Sequence, residues 1–213
     1  MNKIRIFLTT ALIDKSNVPL SHKDQRESLS IQNRIDEYIE CFNIIKSFGY
    51  DFTIVETVLD KFPLFEEYTK VIYTNVNNFN YKNRGSNYVN AFKKVLNESD
   101  FRDDDIIVHI TGRYPLVDNS FLLECENLNN SFDGCFSIDK YNQCYLFLYA
   151  LRFKKLKDLL NSINVDYLEN SNICLEQVFY GIIKDYKILF VEKLGIIGRQ
   201  SSSNNELYGK ILY

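Results

Sequence analysis

Arg113 is the residue whose place in the sequence says most. It leaves the apolar run Ile106–Ile110 through Thr111-Gly112, and Pro115 stiffens the exit. A guanidinium fixed at the end of a strand suits a diphosphate, because its planar fork matches phosphate oxygens. An internal salt bridge, for example to Glu56, is the competing use of the same residue. Gly112 beside it permits close backbone approach or unusual dihedrals. Glu176 is the candidate general base. It falls in the first turn of an apolar helical pattern, between Leu175 and Val178, where a carboxylate can take a proton from a hydroxyl. A glutamate there is also what the helix dipole favours, so a purely structural charge is the alternative.

Polar residues follow the other apolar runs as well: Thr9 and Thr10, Glu56, Thr74 and Asn75, then Thr111 to Arg113. Strand ends turn polar wherever the chain reaches water, but four such clusters suggest one shared site. The stretch Lys82-Asn83-Arg84-Gly85-Ser86-Asn87 precedes a helical pattern. Backbone N–H groups at a helix start attract phosphate, and Arg84 adds charge; an ordinary turn with a polar cap reads the same way. His109 shares a strand face with Ile107 and Thr111, as a core residue or as the floor of a site. The triple Asp103–Asp105 is a metal-like cluster, but it precedes its strand. It belongs at the end opposite the shared site, where a solvated turn is expected. GxxxxGK[ST], GxGxxG after the first strand and GxSxG are all absent from the sequence. That removes Walker-type phosphate loops, dinucleotide-binding oxidoreductases and hydrolase elbows.

These residues need strands to carry them. Residues 3–10, 51–58, 70–77 and 106–110 read as strands, and 31–48 as a helix stopped by Gly49. A second helix follows the Asn-rich turn 77–87, with Tyr88, Val89, Phe92, Val95 and Leu96 on one face. The near-continuous apolar strands, alternating with helices, predict an α/β sheet buried on both faces. In the second half, 120–127 reads as a short helix, 132–138 and 143–153 as strands, 154–163 and 173–184 as helices, and 187–192 as a last strand. Residues 12–30 read as a long polar loop and the stretch from Gly195 as a mobile tail. No repeat or linker divides the 213 residues, so one domain is expected over 1–213.

The formal charge of −3 speaks against a phosphate-binding nucleic-acid partner. No apolar run approaches the ~18 residues of a membrane span, and no secretory signal opens the chain. Five cysteines at 41, 125, 135, 144 and 174 form no CxxC pair. An odd, scattered set suggests reduced thiols and a cytoplasmic home, the host's cytoplasm if the chain is viral.

The strings YTNVNNFNYKNRGSNYVNAFKKVL and DDDIIVHITGRYPLVDNSF resemble a family of small glycosyltransferases. That family occurs in capsule and lipopolysaccharide gene clusters and in large DNA viruses. Size and layout also resemble the one-domain GT-A enzymes with which chlorella viruses glycosylate their capsid protein. The likeness is densest over 71–121, in a pattern of the form YS/TN…NKG.NE…DDDIIIKLTGRY, with echoes at ALRF (150–153) and CLEQ (174–177). It implies a GT-A-like fold with a mixed central sheet flanked by helices. Residues 1–115 would form the nucleotide-sugar half and 116–213 the acceptor half. Carried over by position, Thr9, Thr10 and Glu56 border the nucleoside. Arg84, Gly85 and Asn87 lie near the donor, and His109, Thr111, Gly112 and Arg113 lie at the diphosphate and sugar. Glu176 matches a late glutamate.

His109 stands where the family pattern has Lys, and Arg84 where it has Lys. GT-A enzymes at large place a DxD after the fourth strand to hold Mn²⁺ or Mg²⁺; here that place reads His-Ile-Thr-Gly-Arg. Either Arg113 replaces the charge of the divalent cation, or few protein ligands hold it. The expected activity is sugar transfer from a nucleoside-diphosphate donor, UDP-linked in the first instance, to a glycan or glycoprotein acceptor. The alternatives are a sugar nucleotidyltransferase, which should carry a Gly-rich basic loop after the first strand where this chain reads TTALIDKSN, and a non-catalytic glycan-binding or scaffold domain.

Overall fold

The computed structural model describes residues 3–13, 31–77, 81–171, 173–198 and 211–212. The expected loop over 14–30, part of the Asn-rich turn (78–80) and most of the expected tail (199–210) lie outside the described residues. Seven strands form one sheet in the order β3-β2-β1-β4-β6-β5-β7. They are β1 (Ile4–Thr10), β2 (Phe52–Glu56), β3 (Val71–Tyr73), β4 (Ile106–Thr111), β5 (Gly134–Phe136), β6 (Leu148–Arg152) and β7 (Ile188–Phe190). The pairs β1–β2, β2–β3, β1–β4 and β5–β7 are parallel. Strand β6 is antiparallel to both β4 and β5, so it alone runs against the other six. The sheet therefore takes strands from both halves of the chain.

The helices α1 (Ile31–Ser47), α2 (Pro63–Glu66), α3 (Arg84–Asn97), α4 (Ser120–Glu126), α5 (Phe153–Ser162), α6 (Val165–Asn170) and α7 (Leu175–Ile183) cover the sheet. The period of two in the strands explains how both faces are filled. Ile6, Leu8, Ile54, Ile106, Val108 and Ile110 share a core with Ile35, Tyr38, Phe42 and Ile45 of α1 and Phe121 and Leu122 of α4. Phe7, Val55, Ile107, Tyr149 and Leu151 share the other with α3, α5 and α7. Helix α1 ends where Gly49 takes φ +83°, a value that needs no Cβ, and its N–H closes on the Lys46 carbonyl at 2.9 Å.

Several boundaries moved. Helix α3 starts at Arg84, inside the stretch read as turn, because Asn83 caps it: the Asn83 side-chain oxygen accepts from the Gly85 N–H at 2.8 Å. Strand β3 stops at Tyr73 and β6 begins only at Leu148, with a separate bridge joining Ile138 to Cys144. The short helices α2 and α6 were not expected. Residues 194–198 belong to the body of the molecule: Ile196 is buried and bridges Leu116, and Ile197–Gly198 (β8) pair with Ile211–Leu212 (β9). Asp103–Asp105 does lie at the amino end of β4, and Asp103 and Asp104 form the exposed turn expected there, but the third aspartate departs from it. Asp105 is buried and meets Arg5 at 3.3 Å and Arg102 at 3.2 Å. Among the described residues no helix is long and apolar enough to cross a membrane.

Candidate functional site

Strand order reverses between β1 and β4, the kind of place where open α/β sheets bind ligands at strand carboxyl ends. Thr9 pairs with Thr111 there, and the Gly112 N–H donates to the Thr9 carbonyl at 2.9 Å. An added Cβ on Gly112 would sit 3.0 Å from that carbonyl oxygen and 3.2 Å from Tyr38, so this glycine serves close approach. Its φ is not positive.

Two cavities open at this point. The smaller, about 270 Å³, has walls from Thr9, Thr10, Ala11 and Ile13 after β1, Arg34 and Tyr38 of α1, Arg84, Asn87 and Tyr88 of α3, and Thr111 and Arg113 after β4. The larger, about 1070 Å³, runs on toward α6 and α7. It is bordered by Lys82, His109, Asp139, Tyr145, Glu169 and Glu176 among others. Arg84, Tyr88, Thr111 and Arg113 line both, so the two form one cleft in two compartments.

The smaller compartment holds three guanidiniums, from Arg34, Arg84 and Arg113, and no carboxylate among its described lining residues. Arg113 donates to the Tyr114 hydroxyl at 3.2 Å and lies over that ring. Among the described residues no carboxylate forms a salt bridge with it. Burial opposes its charge, but Tyr114, Tyr38 and Glu37 outweigh burial and raise its pKa further. Arg84 is exposed at the rim of the cleft, yet desolvation lowers its pKa, and the charges of Arg113 and Arg34 lower it again. Mutual repulsion of this kind marks a place where an anion is stabilised. Asn87 is buried, and its side-chain oxygen has no hydrogen-bond partner; it can accept from a hydroxyl or N–H of a ligand.

Glu56 lies behind the wall of this compartment and lines neither cavity. Its carboxylate is 0% exposed and accepts from Thr10 Oγ1 (2.6 Å) and from the N–H groups of Leu12 (3.3 Å), Val58 (2.8 Å) and Leu59 (3.2 Å). It ties the ends of β1 and β2 together, so it is neither the salt-bridge partner of Arg113 nor in reach of the cavity. Thr74 is likewise buried, with its hydroxyl on the Glu56 carbonyl.

The start of α3 is not a vacant anion site. The Glu169 carboxylate accepts from the N–H groups of Lys82 (2.9 Å) and Asn83 (3.1 Å) and from Ser86 Oγ. Burial works against that charge, but these bonds, Ser86 first, outweigh it and hold the carboxyl below its usual range. Arg84 and Asn87 face the cleft from α3 itself, while Gly85 borders the larger compartment and packs on Leu175.

His109 is 1% exposed. Its Nε2 meets Thr9 Oγ1 at 2.9 Å, and its ring packs among Tyr88, Phe92 and Tyr149. Nδ1 has no hydrogen-bond partner of good geometry, and the Leu146 backbone acts weakly on the ring. Burial pushes the imidazole down to about 3, so it is neutral and cannot supply the charge of a lysine at this place. Glu176 stands in the first turn of α7 on the wall of the larger compartment, as does Asp139, whose Oδ1 accepts from Tyr141 and Gln143 N–H groups.

Sequence reasoning missed Arg34, Tyr38 and Tyr88 as site residues. For Arg34 one signal existed: it falls within the apolar stripe Ile31, Ile35, Tyr38, where a surface arginine would not. As to a divalent cation, the described residues that line the smaller compartment include no Asp, Glu or His. Among the described residues no group of three or more His, Cys, Asp or Glu side chains could hold a metal ion. The residues present do not fit it.

No protein-family model matches the chain, and comparison with curated proteins found no match. Solved structures do match. A cytidylyltransferase from Leptospira borgpetersenii superposes with a TM-score of 0.57 at 13% identity, over 92% of this chain and 78% of that one. A Bacillus anthracis protein named as a glucose-1-phosphate thymidylyltransferase gives 0.52 at 10%, over 90% and 86%. The catalytic domain of Drosophila β1,4-galactosyltransferase 7 gives 0.48 at 16%, over 90% and 66%. The chain has the fold of the first two, a nucleotidyltransferase or GT-A-like mixed sheet between helices. At such identities the likeness is one of fold.

Proposed function

We propose that the chain is a glycosyltransferase that moves a sugar from a nucleoside-diphosphate donor, UDP-linked in the first instance, to a hydroxyl of a glycan or glycoprotein. The observation that carries this reading is the division of the cleft. A small compartment with three guanidiniums suits the nucleoside diphosphate. It opens past Arg84 and Arg113 into a larger one with Glu176 on its wall, which has room for an acceptor. The resemblance of the TGRY segment supports the same reading.

In the inverting form of the reaction, the Glu176 carboxylate takes the proton of the acceptor hydroxyl. The oxygen attacks the anomeric carbon, and the bond from that carbon to the diphosphate breaks. The departing nucleoside diphosphate keeps the electron pair, and Arg113 and Arg84 stabilise its charge. The solved structures with the higher scores named above are nucleotidyltransferases, so the test must separate the two transferase classes. Transfer to simple glycosides, or release of nucleoside diphosphate by slow donor hydrolysis, is expected with a panel of UDP-, GDP- and TDP-sugars. Pyrophosphate release from a nucleoside triphosphate and a sugar 1-phosphate, with no donor turnover, would replace this reading with the nucleotidyltransferase one.

A further inference from the structure

The compartment that suits the diphosphate is furnished with cations of its own. Arg34 reaches it from the first turn of α1, Arg84 from the first turn of α3 and Arg113 from the end of β4, so three separate elements converge on one space. Arg34 is 7% exposed, and its Nη1 donates to the Ala11 carbonyl at 3.4 Å, which aims the guanidinium along the exit of β1. Burying an arginine beside two others is costly unless an anion joins them. The carboxylates that border the cleft, Asp139, Glu169 and Glu176, all line the larger compartment, and two of them already accept backbone N–H bonds. A divalent cation placed among three guanidiniums would meet repulsion and no carboxylate from the described residues of these walls.

Resting on the glycosyltransferase reading, we infer that Arg34, Arg84 and Arg113 bind the donor diphosphate directly, with Arg34 as its third phosphate ligand, so that donor binding requires no divalent cation. Three guanidiniums there face the two or three negative charges of a nucleoside diphosphate. Each planar fork can present two N–H donors to phosphate oxygens. The unpartnered oxygen of Asn87 takes a hydroxyl or N–H of the nucleoside in the same space.

Calorimetric titration of the whole chain with UDP, GDP, CDP and TDP tests this, once in EDTA and once with Mn²⁺ or Mg²⁺. For the diphosphate that binds best, the dissociation constant is expected to be the same in both buffers. Arg34→Gln should weaken that diphosphate about 10- to 100-fold, the worth of a charge-assisted hydrogen bond, and leave the matching nucleoside unchanged. Arg84→Gln, at the exposed rim, is the second variant should Arg34→Gln fail to fold, and the same selective loss is expected of it. Binding seen only with the metal would overturn the inference and leave the glycosyltransferase reading standing. Equal loss of diphosphate and nucleoside in both variants would also overturn it. No binding of any diphosphate in either buffer would remove both.

Discussion

At the scale of single residues, the structure sorts the cleft's carboxylates. Glu169 borders the larger compartment, but its oxygens hold the start of α3. Asp118 accepts from Ser120 N–H and Oγ and lines neither compartment. Glu176 stands on the wall of the larger compartment, as a base acting on an acceptor must. Glu176→Gln keeps the shape and removes the proton acceptor. Turnover is expected to fall roughly 10²–10⁴-fold while diphosphate affinity stays unchanged. Transfer rate and melting temperature measured on one preparation check this. Near-normal transfer with a slightly lower melting temperature would reduce Glu176 to a helix-start charge worth about 0.3–1 kcal/mol. His109 was expected at the diphosphate by analogy with a lysine. Buried neutral against Thr9, it shapes the wall and contributes no charge.

At the scale of elements, the site depends on how closely the start of α3 meets the start of α7. Gly85 makes that contact: a Cβ there would lie 2.8 Å from Leu175 Cβ, an atom that cannot move without its helix. Gly85→Ala should therefore cost about 1–3 kcal/mol of stability, less a few tenths regained from helix propensity. Gly181, inside α7, is the contrast, since an added Cβ meets nothing within 4 Å. Gly181→Ala should stabilise by about 0.5–1 kcal/mol. Urea unfolding of both variants decides, and the same sign at both positions would refute the argument. The elements were legible where apolar period and length were both clear, as in β1, α1 and β4. Helix α3 was placed late because Arg84, Gly85 and Asn87 are weak signals next to an Asn-rich turn; the Asn83 cap and the Glu169 clasp set its start. Helices α2 and α6, at 4 and 6 residues, are too short to show a period.

At the scale of the molecule, burying His109 between two layers couples the fold to pH. The unfolded imidazole titrates near 6.5 and the folded one at about 3. Between these values the unfolded state binds the extra proton. Stability is therefore complete above about pH 6.5 and declines as pH falls, by about 1.4 kcal/mol per unit. Depressed carboxyls such as Glu169 and Asp105 lose their contribution only at lower pH, as it drops through their folded pKa values. Unfolding free energies between about pH 6.5 and 4.5 thus isolate the histidine, and His109→Phe should flatten the profile there. An unaltered slope in that variant would place the proton uptake elsewhere.

The α/β class, the first four strands and the gathering of Thr9, Thr10, Thr111, Gly112 and Arg113 at one sheet edge could be read from the chain alone. They depend on apolar period and on which residue follows each strand, and both are local properties. Which polar residues would face the cleft could not be read that way. Glu56 and Arg34 are both polar residues on or beside apolar runs. One turns inward to four hydrogen bonds, the other toward the cavity. The choice rests on partners distant in the chain: Ala11, 23 residues from Arg34, and Thr10 and Leu12, 46 and 44 residues from Glu56. Only packing α1 and α3 over the junction of β1 and β4 brings three arginines to a single space, because the charge of that space is the sum of side chains that no sequence window contains.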